Sequence, residues 1–387
     1  MLAAQRRHPL AETIETHGCS VVLRRVDGRR GRELFLHCAP PDTRADAPGQ
    51  AEAVYRAIAG VLAGEGADCT VIRETAFLRD LRADLESVRA ARPWRLAAAS
   101  EVEQPPLDER ARLEVSAHAI VSPARTTRLE APPACACAEC ARAHGLLVRL
   151  GDEEQLHVGA LYGGGEDAYA QALAMFRAAE DLLRSAGMTF QHVVRTWIHL
   201  RDIDRDYGAL NRARREFFAA RGIDPPPAST GIGGGLAPHE HDLSLGLYAV
   251  RAPRRAMSAP TLGEAMDYGS DFARGMRVVE SNKVSLHVSG TASIDEQGRT
   301  AHPDDLEAQV ERMLVNVAAL LAEQGAGFAD VVSAVTYLKH PADTARLRRK
   351  LRDAGFEGFP NALVAAPICR PELLCETELV AVLPGDS

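Results

Sequence analysis

The feature of this sequence that most constrains its fold is one pattern of elements that occurs three times. Each copy opens with a short strand that contains a Leu-His pair, at residues 34–37, 156–158 and 286–288. A segment with apolar residues at helical spacing follows, and glycine ends it in every copy. Internal repetition of this kind predicts one supersecondary unit per copy, with neighbouring units burying each other's surfaces.

The second half of the pattern is also shared by all three copies. A strand built around a threonine precedes a second amphipathic helix, a proline-bounded loop and a closing strand. The closing strands lie at residues 113–120, 243–250 and 375–382. The order strand, helix, strand, helix, strand predicts an α+β fold in which each unit is a mixed sheet with helices packed on one face.

Proline-rich linkers near residues 123–133 and 253–260 divide the chain into three predicted units. We place these units at residues 1–130, 131–255 and 256–387. Because a sheet face left bare by one unit must be covered by another, three units in one chain predict a closed threefold arrangement, an intrachain pseudo-trimer. The sequence leaves open whether the chain works as a monomer or as a homo-oligomer.

Charge and hydropathy narrow the expected partners and compartment. The 387 residues carry a formal net charge of −8 and have a pI near 5.9, so we expect neither nucleic acid nor an anionic membrane as a partner. No apolar run is long enough to span a bilayer, and none follows the basic residues near the start as in a signal peptide. We therefore expect a cytoplasmic protein.

Eight cysteines are scattered along the chain, which is typical of reduced thiols and not of a disulfide framework. Cys135, Cys137, Cys140 and the nearby His144 are enough in number for a tetrahedral zinc site. Their spacing does not match a paired Cys-x-x-Cys knuckle, and they follow a proline-rich linker. We assign no metal and no organic cofactor from the sequence, and whether the cluster binds anything stays open.

The closing strand of the third copy carries the candidate chemistry. Leu374, Glu376 and Glu378 share one face because residues two apart in a strand point the same way. A carboxyl group beside a like charge and apolar neighbours has its charged form disfavoured, so it can stay protonated near neutral pH and donate that proton. The alternative is that both glutamates form the solvent-exposed face of a half-buried strand.

The three-copy pattern resembles the YjgF/Rid family, whose chorismate mutase-like subunits assemble as trimers with ligand sites in the clefts between subunits. Members that deaminate imino acids hold the substrate carboxylate with an arginine before the closing strand, in a Pro-Ala-Arg-Ser/Thr setting. The corresponding loops at 97–100, 227–230 and 360–363 lack this arginine. Imine or enamine hydrolysis is therefore disfavoured, although it stays an alternative, as does a non-catalytic protein that binds a small carboxylate.

The second and third units resemble the chorismatases, and the segments that carry the likeness are 195–197, 227–233, 286–293 and 369–376. This resemblance implies that Glu376 is the catalytic acid, which protonates the enolpyruvyl ether of chorismate so that pyruvate is released without a cofactor. In that family a glycine at position 290 and a cysteine at position 369 go with formation of 3-hydroxybenzoate. Gly290 and Cys369 match that branch, whereas alanine at both positions goes with hydrolysis to a dihydroxycyclohexadiene carboxylate.

A dicarboxylate substrate needs cationic or N–H donors in a partly dry cleft. Arg195 and Arg370 are the candidate carboxylate ligands, although Arg195 also fits the exposed face of a strand. We expect Ser229, Thr230 and Gly231 to form a turn that accepts an anion, and Tyr337 to line the pocket.

Two departures from the chorismatase pattern leave alternatives open. The segment around Tyr268 is shorter than in that family, so an amino analogue of chorismate is an alternative substrate. In the first unit Glu114 occupies the place of Glu376, whereas the second unit has Ser244, so a second site is conceivable.

Overall fold

The first unit of the computed structural model is a six-stranded sheet with the order β1-β2-β3-β6-β4-β5. The structure describes residues 10–40, 45–95, 97–131, 133, 135–237, 240–263, 265, 271–280 and 283–385. The elements of this unit are β1 Glu12–Thr16, β2 Cys19–Gly28, β3 Gly31–Ala39, α1 Ala47–Glu65, β4 Cys69–Leu78, α2 Leu81–Ala91, β5 Ala98–Glu103 and β6 Leu113–Val121.

The second unit repeats this arrangement in a sheet of order β11-β10-β12-β9-β8-β7. Its elements are β7 Arg125–Glu130, β8 His144–Leu150, β9 Glu153–Leu161, α3 Ala168–Ser185, β10 Val193–Leu200, α4 Ile203–Ala219, β11 Ala228–Gly233 and β12 Leu243–Val250. Strand β7 pairs with β8 in this sheet, although our predicted boundary falls after residue 130.

The third unit has the strand order β13-β14-β15-β18-β16-β17. Its elements are β13 Arg254–Met257, β14 Gly275–Val279, β15 Lys283–Ala292, α5 Leu306–Ala322, β16 Val331–Leu338, α6 Thr344–Asp353, β17 Asn361–Ala365 and β18 Cys375–Pro384. The predicted boundary after residue 255 falls inside β13. The second and third sheets thus each begin with an antiparallel strand that lies in the preceding proline-rich linker.

The predicted order of strand, helix, strand, helix and strand is confirmed in all three units, but the loops before the closing strands are not irregular. Residues 98–103, 228–233 and 361–365 form β5, β11 and β17, each parallel to the strand that precedes the second helix. The expectation of a loop was wrong there because the neighbouring strand supplies the hydrogen bonds, and local sequence preference does not reveal that neighbour.

Two helices cover one face of each sheet. Aspartate side chains begin most of them by accepting a hydrogen bond from a backbone N–H of the first turn, as Asp167 does from Ala170 at 2.8 Å. Along α3 the buried positions recur at helical spacing, with Met175, Phe176 and Leu182 facing the sheet. The helix-facing side of every sheet is therefore a separate apolar core.

The opposite sheet faces pack against one another, which confirms the pseudo-trimer. Ile72 and Ile120 of the first unit pack against Leu146 and Val148 of the second. Trp197 and Tyr248 of the second unit pack against Met276 and Val278 of the third. Val332 and Val382 of the third unit pack against Val26 and Phe35 of the first. Each unit thus touches both of the others and the arrangement is closed. Among the residues described, no helix has both the length and the apolar character that a membrane span requires.

Candidate active site between the second and third units

Glu376 lies near the start of β18, directly opposite Ala292 of β15 and Tyr337 of β16. Only 4% of Glu376 is exposed, so the alternative of a solvent-facing glutamate is wrong. Burial, together with the negative charge of Glu378, raises the pKa of Glu376 to about 8. At neutral pH this group is therefore mostly a carboxylic acid and can donate a proton.

Glu378 points to the same side of β18 but has a different environment. Its carboxylate accepts hydrogen bonds from Arg195 Nη2 and from Trp197 Nε1, both at 2.7 Å. Both donors belong to β10 of the second unit, so this carboxylate is held across the boundary between units. The two glutamates that share a face are thus a neutral acid and a paired carboxylate, a separation of roles that is common in catalytic sites.

Arg195 is 2% exposed, and its Nη2 also donates to the hydroxyl of Thr230. Its Nη1 is buried and finds no hydrogen-bond acceptor among the described residues. Buried polar groups are nearly always paired, so an unsatisfied guanidinium N–H in a cleft is a donor available to a ligand oxygen. The interpretation of Arg195 as the exposed face of a strand is therefore wrong.

Ser229, Thr230 and Gly231 lie in strand β11 and not in a turn, because β11 pairs in parallel register with β10. Their polar groups join the second unit to the third. The backbone N–H of Ser229 donates to Ser289 Oγ at 2.9 Å, and that of Gly290 donates to Thr230 Oγ1 at 2.9 Å. These residues position the two units against each other beside Glu376.

At Gly290 the backbone of β15 lies close to the acid. A Cβ atom there would lie 2.0 Å from Glu376 Oε1 and 3.1 Å from Thr230 Cγ2. Any side chain larger than hydrogen would therefore displace the carboxyl group. The glycine that the sequence singled out gives Glu376 the space it occupies.

Cys369 is partly exposed at the boundary between the apolar clusters of the second unit and of the inter-unit interface. Burial and the nearby Glu376 raise the pKa of its thiol to about 12, so the group is a neutral thiol at physiological pH. Tyr207 of α4 forms a hydrogen bond with this thiol, and its ring would lie 3.0 Å from a Cβ on Gly231. Sequence reasoning missed Tyr207, which is partly exposed on its helix.

The other two predicted residues lie beside this centre. Tyr337 is buried in the apolar cluster that also contains Phe77 and Ile232, and it is the cross-strand neighbour of Glu376. Arg370 donates from Nη1 to the carbonyl of Gly298 at 2.8 Å, and its charge opposes the rise in the pKa of Cys369. Tyr268, which the sequence associated with pocket shape, lies outside the described residues.

Two buried arginines were missed from the sequence. Arg214 of α4 is 2% exposed, its Nη1 lies 3.4 Å from Ser229 Oγ, and its Nε finds no acceptor within the part of the chain described. Arg274 is 3% exposed, and its charge lowers the pKa of Glu376 against the larger opposing effects. Both guanidinium groups lie within 5.7 Å of the Phe272 ring. The available signal for Arg214 was its position at helical spacing between the apolar residues Leu210 and Phe217.

At the other two boundaries between units, the residue equivalent to Glu376 or the residue equivalent to Arg195 is a serine. By strand register, Glu114 and Ser244 replace Glu376, and Arg73 and Ser333 replace Arg195. Glu114 pairs with His37 at 3.1 Å, whereas the guanidinium carbon of Arg73 lies 3.2 Å from the centroid of the Trp197 ring. Within the described residues, the boundary between units two and three alone combines the acid with the guanidinium.

The structure therefore defines a class of protein in which three fused units form a pseudo-trimer with an acid and arginine site between two of them. Residues 273–383 match the family model described as endoribonuclease L-PSP. A RutC family protein of Pyrococcus abyssi is 32% identical over 98 residues, which cover 25% of this chain and 76% of that protein. The chain belongs to this family, RutC or YjgF/Rid.

Two further comparisons extend beyond the third unit. A chorismatase of Streptomyces rapamycinicus is 28% identical over 243 residues, which cover 56% of this chain and 70% of that protein. The crystal structure of a chorismatase superposes with a TM-score of 0.60 and 22% sequence identity, over 81% of this chain and 93% of that chain. The second comparison shows a shared fold, and the first shows that the sequence of this chain is similar to that of a chorismatase.

Proposed function

We propose that this protein is an enzyme that cleaves the enolpyruvyl ether of chorismate and releases pyruvate and 3-hydroxybenzoate. The observation that carries the proposal is Glu376, a buried carboxyl group with a pKa of about 8 that fits against Gly290. The similarity to chorismatases supports the choice of substrate.

The proposed first step is transfer of the Glu376 proton to the methylene carbon of the enolpyruvyl group. This transfer makes an oxocarbenium-like carbon and leaves a carboxylate at Glu376. The charges of Arg195 and Arg274 favour that carboxylate, because both lower the pKa of Glu376. A carboxylic acid whose pKa lies near the working pH is an effective general acid.

The proposed second step is attack of the neighbouring ring hydroxyl on the ether-bearing ring carbon. The bond from that carbon to the ether oxygen breaks, pyruvate leaves, and the hydroxyl proton returns to the Glu376 carboxylate. The epoxide-like product rearomatises to 3-hydroxybenzoate, so the two products together contain all atoms of chorismate and no water is consumed. The proposed role of Cys369, a neutral thiol beside Glu376, is to direct this rearomatisation.

The substrate carboxylates need cations in a buried cleft, and burial strengthens such pairs. Arg195 offers its Nη1 and Arg214 offers its Nε from the neighbouring helix, and neither atom has a hydrogen-bond partner in the part of the chain that the structure describes. We propose that these two groups bind carboxylate oxygens, with Arg370 at the edge of the site and Ser229, Thr230 and Gly231 ordering the wall between units.

The test is incubation of the purified chain with chorismate. We expect pyruvate in a lactate dehydrogenase-coupled assay and an equal amount of 3-hydroxybenzoate by chromatography. Dihydroxycyclohexadiene carboxylate in place of 3-hydroxybenzoate would indicate hydrolysis, and release of pyruvate only from an amino analogue would change the substrate. Ammonia from imino acids without pyruvate from chorismate would establish the Rid-type alternative, and turnover of none of these would leave a binding protein.

The pH dependence follows from the raised pKa of Glu376. The acid is active when protonated, so kcat/KM is expected to be level below pH about 8 and to fall about tenfold per pH unit above it. Initial rates of pyruvate release across pH 6 to 10 would measure this limb. A rate that rises through pH 8 would mean that the essential group acts as a base and not as an acid.

Replacing Cys369 with alanine is expected to change the product more than the rate. The thiol lies beside Glu376 but does not supply the first proton, so pyruvate release should stay within about tenfold of wild type, while products move from 3-hydroxybenzoate toward the dihydroxycyclohexadiene carboxylate. Cys375→Ala is the matched control, because that thiol faces the helix-side core. An unchanged product ratio in Cys369→Ala would remove the cysteine from the mechanism.

A further inference from the structure

The segment between β7 and β8 gathers soft metal ligands with a residue from a distant loop. Cys135, Cys137 and Cys140 lie here, and His241 comes from the segment before β12; one potential ligand atom from each lies within 4.8 Å of all the others. The Sγ atoms of Cys135 and Cys140 are 3.4 Å apart, and His241 Nε2 is 3.6 Å from the first and 3.1 Å from the second.

These separations are within a few tenths of an ångström of those in a tetrahedral zinc site. With Zn–S near 2.3 Å and Zn–N near 2.0 to 2.1 Å, neighbouring ligand atoms in a tetrahedron lie roughly 3.5 to 3.8 Å apart. Three thiolates and one imidazole form a soft set that suits zinc better than magnesium or calcium. Cys140 and His241 are buried, while the other two thiols are partly exposed.

Surrounding hydrogen bonds prepare the ligands for a cation. His241 Nδ1 lies 3.0 Å from the carbonyl oxygen of Gly163, so Nδ1 carries the proton and the lone pair of Nε2 faces the thiols. Backbone N–H groups of Cys137 and Cys140 donate to the sulfurs of Cys135 and Cys137, each at 3.4 Å. Such donors stabilise thiolates, the form that binds metal.

We propose that Cys135, Cys137, Cys140 and His241 bind one structural zinc ion. Four protein ligands close the coordination sphere, which is the pattern of structural and not of catalytic zinc. The sequence suggested His144 as the fourth ligand, but its Nδ1 lies 3.0 Å from the carbonyl of Arg142. The fourth ligand comes instead from a residue 101 positions after Cys140, which local spacing could not reveal.

The position of the site gives the zinc a role in assembling the units. Glu139, between two of the cysteines, receives two hydrogen bonds from Arg89 of α2, at 2.7 and 2.6 Å. Arg89 belongs to the first unit, so the metal-bound loop would hold the second unit against the first. The same two residues border a cavity of about 430 Å³ between these units. Loss of zinc should therefore loosen this inter-unit edge.

The first measurement is the metal content of the untagged full chain, purified without chelator and analysed by inductively coupled plasma mass spectrometry. We expect about one zinc per chain. Exchange of zinc for Co²⁺ should give the intense visible bands and sulfur-to-metal charge transfer of tetrahedral cobalt thiolate. Neither measurement depends on a variant that might fail to fold.

Matched variants then assign the ligands. His241→Ala and Cys140→Ser should lose the zinc, whereas His144→Ala should keep it. Chelator should lower the Tm of wild type and of His144→Ala and leave that of His241→Ala unchanged. The proposal is overturned if wild type neither contains zinc nor takes it up from zinc chloride, if mass spectrometry finds a Cys135–Cys140 disulfide, or if His241→Ala retains full zinc. None of these outcomes depends on turnover of chorismate.

Discussion

Replacing Glu376 with glutamine is expected to abolish pyruvate release from chorismate and to leave the fold intact. A positioned general acid contributes about 10² to 10⁴ to a rate, and an amide has no proton of suitable acidity to give. Since the pKa of Glu376 is raised to about 8, the native side chain is mostly neutral at pH 7, and glutamine preserves both its charge and its size. The measurement is kcat/KM for pyruvate release at pH 7.

Glu114→Gln is the matched control, because Glu114 occupies the equivalent strand position but pairs with His37 at 3.1 Å and does not face Arg195. It should retain wild-type turnover. Substantial pyruvate release by Glu376→Gln would exclude Glu376 as the acid, and loss of activity in Glu114→Gln would place the site at a different inter-unit boundary.

Wild type and Glu376→Gln also test the raised pKa of Glu376 through their stability. The pKa of Glu376 is raised from 4.5 to about 8 on folding, so between these pH values the folded protein binds more protons than the unfolded chain does. Its contribution to the free energy of unfolding therefore falls as pH rises from about 4.5 to about 8. Glu376→Gln should gain stability relative to wild type across this window. A constant difference in Tm would contradict the raised pKa.

The sequence predicted the repeated elements and their closure because strand and helix periods reflect burial within one unit. The predicted loops before the closing strands are instead the strands β5, β11 and β17. These short segments pair with a neighbour that only the folded unit supplies. The covered sheet faces followed from a general argument, since an exposed apolar sheet face has to be buried by something.

The candidate site was predictable where residues share one strand and unpredictable where they meet across units. Strand period placed Glu376 and Glu378 on one face, and the family resemblance marked Gly290. The close approach of Gly290 to Glu376, where an added Cβ would lie 2.0 Å from Oε1, becomes visible only when β15 and β18 are paired. Arg214 and His241 were missed because their partners come from other elements, which no local spacing encodes.

Replacing Arg195 with methionine is expected to be the most destabilising single change at this site. Its guanidinium forms a 2.7 Å pair with Glu378, in which the two side chains are 2% and 8% exposed. Removing one member of a buried pair leaves an uncompensated charge and costs about 3–5 kcal/mol. The change would also remove the positive charge of Arg195, which opposes the rise in the pKa of Glu376. Urea unfolding of wild type and variant measures the cost.

The double variant Arg195→Met with Glu378→Gln separates stability from function. Because it removes both charges, most of the lost free energy of unfolding should return, as a buried pair is often close to neutral against uncharged replacements. Activity should not return, since the donor proposed to bind a substrate carboxylate is still missing. Arg56→Met is the control for charge loss alone: its pair with Glu52 is 58% and 64% exposed, so the change should stay within about 0.5 kcal/mol. If the double variant regained wild-type KM, Arg195 would be a structural partner of Glu378 and not a substrate ligand.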